Sequence, residues 1–190
     1  MLMLRRAVDP EWAPRVTRRL DELLVDHAHL ERKAATTAIH LEKYRELYPQ
    51  VHALNAIAIE ELQHFELVLG LLRQRGCDFG QPQRSEWITG MMRAVRQGRR
   101  ESVIDHLIVC ALIEGRSCEK FQILAGHLAH SEPELSRFYQ SLVESEGNHY
   151  ATYLIMARGI DLAETETRLD WFLDHDAELM AHRHELCILH

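Results

Sequence analysis

Four long helical patterns, each with a glutamate set inside its apolar stripe, limit what this chain can fold into more than any other feature. The first stripe reads Leu20, Leu24, His27, Glu31, Ala34, Ala38 and Leu41, at the three-four spacing of a buried helix face. The second is Leu54, Ile57, Glu61, His64, Phe65, Val68 and Leu72. The third is Val103, Leu107, Cys110, Ala111, Glu114, Cys118 and Phe121. The fourth is Leu135, Phe138, Leu142, Glu146, His149, Tyr150 and Tyr153. A buried acid is costly unless it is paired or bound to a metal. Four of them, with two imidazoles, therefore ask for a common explanation.

Their order supplies one. Glu31 precedes a Glu61-x-x-His64 motif, and Glu114 precedes a Glu146-x-x-His149 motif at nearly the same separation. A Glu and a His three residues apart share one helical face and can reach the same ion. Two such halves packed together would hold two metals, each with carboxylate oxygens and one imidazole nitrogen, a donor set suited to iron or manganese. A metal-free bundle with internal salt bridges would have to bury all six groups, at several kcal/mol each. Glu60 and Glu144 lie off the stripes and read as flanking residues. His27 and His29 could suggest a second site with Glu31, but His27 reads better as core or as a neighbour of the ligands. Gly115 and Gly147 each follow a ligand Glu, which suggests close helix approach or room beside a pocket. The tail HRHELCILH could hold zinc adventitiously, although a frayed helix end accounts for it.

The same periodicity gives the architecture. Helices are expected over about 17–48, stopped by Pro49, and over 50–75, ending before Gly76. Turn signals are densest in GCDFGQPQRSEWITG, the long connection, which carries a short helix near 88–97. Further helices are expected over 101–129, 134–158 and 162–187. Short, long and short connections between four long helices describe an all-α, ferritin-like four-helix bundle with one long crossover plus additional short and C-terminal helices, forming one domain over 1–190.

Composition excludes several classes. No apolar run approaches the ~18 residues of a membrane span, and no signal peptide opens the chain. The net charge of −7 argues against bulk nucleic-acid affinity. Four cysteines, Cys77, Cys110, Cys118 and Cys187, form no CxxC pair and read as reduced thiols, so a cytoplasmic location without membrane partners is expected.

The segments DHAHLERKAA (26–35), EELQHFELV (60–68), LIEGRSCEKF (112–121) and EGNHYATYL (146–154) resemble the MiaE family of tRNA hydroxylases. The resemblance spans most of the chain and is weakest over QPQRSEWITGMMRAVRQGRR. It implies two iron ions held by Glu31, Glu61, His64, Glu114, Glu146 and His149, the set already reached from the stripes. It also implies hydroxylation of the isopentenyl group of 2-methylthio-N6-isopentenyladenosine beside the tRNA anticodon, with O2 as co-substrate. No catalytic residue beyond the ligands is implied. One oxygen atom would enter an allylic C–H bond and the other would leave as water. No flavin or nicotinamide motif is present, so two electrons must come from an external donor, a reductase or ferredoxin. Arg93, Arg96 and Arg100 share one face of the expected short helix and its continuation, with Arg84 and Arg99 nearby, and are expected to meet anticodon-stem phosphates. The competing functions are another ferritin-like role, peroxide reduction or iron storage, and a metal-free adaptor.

Overall fold

In the computed structural model, residues 2–181 and 188–190 are described. Their regular structure is helical: α1 (Trp12–Val16), α2 (Leu20–Leu41), α3 (Val51–Gln74), α4 (Glu86–Arg93), α5 (Arg99–Leu128), α6 (Pro133–Ile160) and α7 (Leu162–Leu179). They fall into two compact units.

The first unit, residues 15–84, is built on the α2/α3 pair. The apolar stripes meet as expected, with Leu24, Ala38 and Leu41 on α2 and Leu54, Ile57, Val68 and Leu72 on α3 all buried. The helix expected over 17–48 is shorter. It stops at Leu41, Tyr44 turns extended (φ −81°, ψ 122°), and Arg45–Gln50 forms a 3-10 turn that contains Pro49. A 3-10 turn repeats every three residues, so Leu41, Tyr44 and Leu47 satisfy it as well as they satisfy an α-helix. The spacing alone could not separate the two. At the other end, Gly76 sits at φ 69°, the left-handed position that ends α3 where the sequence predicts. The connection after it lies against α2: His29 donates from Nε2 to the Gly80 carbonyl at 2.8 Å, and its ring stacks on Phe79. Arg32 donates to His29 Nδ1 at 3.2 Å.

The second unit, residues 2–14 and 85–181 with His190, centres on α5. That helix packs on α6 along one side and on α7 along another, so buried residues run almost all round it. Its second side carries charges that are paired. Asp105 is fully buried and accepts five N–H groups: the Arg96 backbone and guanidinium, and the Arg168 guanidinium, at 2.8–3.1 Å. Two residues after Glu114, and so on the opposite side of the helix, Arg116 makes paired hydrogen bonds with Asp176, which also accepts from Trp87 Nε1 at 3.0 Å. These links fasten α4, α5 and α7 to one another. Caps fix the starts of the shorter helices, Ser85 accepting from Ile88 N and Asp161 from Glu164 N, each at 3.0 Å.

The short helix expected at 88–97 is Glu86–Arg93, and the final helix ends at Leu179 rather than 187. Residues 182–187, which include most of the HRHELCILH tail and Cys187, lie outside the described residues. Cys77, Cys110 and Cys118 are free thiols. Among the described residues no helix is long and apolar enough to cross a membrane.

Candidate metal centre

Antiparallel helix pairing sets the level of each acidic group. Glu31 lies ten residues before the end of α2 and Glu61 ten residues after the start of α3, so folding the pair back brings them to the same height. His64, three residues on, shares the Glu61 face. The geometry follows: His64 Nδ1 is 3.6 Å from Glu31 Oε2 and 3.8 Å from Glu61 Oε2. One ligand atom from each of the three lies within 4.8 Å of the others, and all three side chains are buried.

The second unit repeats the device. Glu114 lies 14 residues before the end of α5 and Glu146 lies 13 after the start of α6. Ser136 Oγ donating to the Ala125 carbonyl fixes that register near the turn. Glu114, Glu146 and His149 are 4%, 2% and 3% exposed, and again offer one atom each within 4.8 Å of one another. Each unit therefore presents two carboxylates and one imidazole from one helix pair. That donor chemistry fits a hard divalent ion with one nitrogen ligand.

Electrostatics in the first unit show what such a cluster does without a cation. Burial opposes charge on His64, yet hydrogen bonds and charge from Glu31 and Glu61 push it up to about 10. Burial likewise acts against the Glu31 carboxylate, but His27, Glu61 and His64 together hold it well below the ordinary carboxylate range. An imidazole ligates a metal in its unprotonated form, so metal binding at His64 would be coupled to proton release.

The remaining candidates separate clearly. Glu144 is exposed and Glu60 half-buried. His29 is occupied by Gly80 and Arg32. His27 is fully buried, with Nε2 2.5 Å from Glu31 Oε1. Of the arginines, Arg84, Arg93 and Arg99 are exposed. Arg96 donates to Asp105 and Glu164, and Arg100 to Asp161 and the Ile160 carbonyl. The groups that sequence reasoning missed are Asp105 and Arg116, structural charges on the side of α5 opposite its stripe, and Asp176 on α7, which pairs with Arg116.

Comparison with known proteins decides the family. The model of the tRNA-(ms2io6A)-hydroxylase family, MiaE, matches residues 2–190. The chain belongs to the MiaE family. A Pseudomonas putida relative, tRNA 2-(methylsulfanyl)-N(6)-isopentenyladenosine(37) hydroxylase, is 40% identical over 138 residues, covering 72% of this chain and 66% of its own length. The Salmonella typhimurium protein of the same name is 37% identical over 121 residues, covering 64% and 44%. The matched stretch thus spans less than two thirds of either relative. Among solved structures, a Synechococcus protein with aldehyde deformylating oxygenase activity superposes with a TM-score of 0.93 at 28% identity, over 100% of this chain and 96% of that one. The MiaE-family chain therefore has the ferritin-like all-α fold its four stripes predict, and its buried Glu/His groups suit a metal centre.

Proposed function

We propose that this chain is an O2-dependent non-haem diiron monooxygenase that hydroxylates the isopentenyl group of 2-methylthio-N6-isopentenyladenosine in the tRNA anticodon loop. The observation that carries the proposal is the family match over residues 2–190, in a chain whose two helix pairs each bury a Glu and a Glu-x-x-His set. In this reading residues 1–190 act as one domain, in which Glu31, Glu61 and His64 hold one side of the centre and Glu114, Glu146 and His149 the other. Iron bound there supplies O2 reduction and C–H oxidation. The chain supplies ligation in a fixed register, a site closed to bulk water, and orientation of the allylic carbon. The balance is one C–H bond and one O2 converted, with two electrons and two protons, to one C–OH and one water. An external reductase or ferredoxin provides the electrons, and the exposed arginines Arg84, Arg93, Arg99 and Arg100 favour tRNA phosphates, while Arg96 is held by Asp105 and Glu164. Action on tRNA places the protein in the cytoplasm. No observation favours peroxide reduction or iron storage.

Nucleoside analysis of tRNA from a strain lacking the gene tests this. Loss of the hydroxylated nucleoside, restored by the native gene and not by Glu114→Ala, is expected. Persistence of that nucleoside in the deletion strain refutes the proposal.

A further inference from the structure

His27 sits one turn before Glu31 on α2, with no exposure to solvent, and its Nε2 lies 2.5 Å from Glu31 Oε1. An ionised carboxylate only accepts, so Nε2–H is the donor. The other oxygen, Oε2, is the one that faces His64, at 3.6 Å. The carboxylate is therefore divided: one oxygen is engaged by an imidazole N–H on its own helix, and the other points toward the proposed ligand cluster. At the matching position of the second unit, four residues before Glu114, stands Cys110, a buried thiol and a weak donor at best.

We infer that His27 is a positioning residue that makes Glu31 a one-oxygen ligand through Oε2, and that the two metal positions are unequal because a cysteine and not an imidazole stands at the matching position four residues before Glu114. The inference rests on the dimetal reading above. Its physical basis is general: a hydrogen bond to a ligating carboxylate fixes its orientation and removes the freedom it would lose on binding, and loss of such partners typically lowers metal affinity about 10–100-fold.

Anaerobic titration of the metal-free full chain with Co(II), read by ligand-field absorbance and equilibrium dialysis, tests it without turnover. The wild type is expected to bind two ions per chain in two distinguishable steps. His27→Ala should weaken one step about 10–100-fold and leave the other. His27→Gln, whose amide can still donate, should restore most of the loss, and Cys110→Ala should leave both steps unchanged. Circular dichroism checks the fold of each apo variant. If His27→Ala does not fold, His27→Phe, which keeps a ring and lacks the donor, replaces it. Unchanged affinity in His27→Ala or His27→Phe overturns the inference alone, and so does equal weakening by His27→Gln, which would mean packing rather than donation. A wild type that binds no cobalt overturns the dimetal reading and this inference with it.

Discussion

A β-carbon added at Gly115 would lie 3.1 Å from Tyr150 Cδ2 and 3.3 Å from its Cε2. The buried tyrosine ring crowds that position and would have to give by a few tenths of an ångström for any side chain at 115, and its hydroxyl meets the Met3 backbone N–H at 3.4 Å. The glycine after Glu114 thus seats the aromatic residue that follows His149. Gly147, which follows Glu146 in the same way, has nothing within 4 Å of its added β-carbon. The two glycines look alike in the sequence and differ in the structure.

Opposite effects on stability follow. Gly147→Ala should gain about 0.5–1 kcal/mol, the ordinary preference of a helix interior for Ala. Gly115→Ala gains the same propensity but must displace a packed ring, at about 1–3 kcal/mol, and should come out net destabilising. Urea denaturation of the two apo variants beside the wild type checks the order; Gly115→Ala at or above Gly147→Ala would contradict it.

Asp105 makes acid stability readable. Burial alone would raise its carboxyl, but hydrogen bonds from Arg96 and Arg168 outweigh that and hold it below the ordinary value of 3.8. A depressed folded-state pKa adds stability that is complete well above 3.8 and is lost as pH falls through 3.8 toward the folded value. Asp105→Asn should cost about 2–3 kcal/mol at neutral pH, less than a fully enclosed pair because Arg96 is a third open to water. The cost should shrink as pH is lowered below 4, where the wild-type carboxylate itself begins to protonate. Unfolding free energies across that range give both quantities.

Arg93 and Arg96 answer different questions. Arg93 is exposed at the end of α4, whereas the Arg96 guanidinium donates to Asp105 and Glu164. Arg93→Glu should leave the melting temperature within about a degree and raise the KM for tRNA at moderate salt, consistent with loss of a phosphate contact. Arg96→Glu should instead lower the melting temperature, by roughly 2–8 °C for a loss of 1–2 kcal/mol. An unchanged KM in Arg93→Glu removes that arginine from the tRNA face.

Metal should stabilise the chain by mass action. At 1,000 times its dissociation constant a bound ion contributes about 4 kcal/mol. Chelation should therefore lower the melting temperature of the native protein by several degrees. Glu146→Ala should lose most of that difference, because one carboxylate of the α5/α6 half is gone. Differential scanning calorimetry with and without chelator measures it; an equal chelator effect in both proteins would remove Glu146 from the ligand set.

Much of this was legible from the chain because it is local. Stripes at three-four spacing, a Glu-x-x-His on one face and a glycine at a helix end are properties of ten or so consecutive residues. Asp105, Arg116 and Asp176 were not legible, since their partners lie as far as 110 residues away in sequence and no spacing rule links them. The end of α2 was missed for a different reason. A 3-10 turn and an α-helix share the apolar spacing of Leu41, Tyr44 and Leu47, so only the extended backbone at Tyr44 distinguishes them. The sequence places His27 in the core or beside the ligands; which oxygen of Glu31 it holds depends on side-chain rotamers that no spacing rule gives.

The most direct test of the proposed activity follows oxygen. Iron-loaded protein, a reductant and tRNA carrying 2-methylthio-N6-isopentenyladenosine are exposed to 18O2 in ordinary water, and the digested nucleosides are analysed by mass spectrometry. The account predicts a hydroxylated nucleoside carrying one 18O atom, absent with Glu114→Ala. No hydroxylated product, or a product whose new oxygen comes from water, would contradict it.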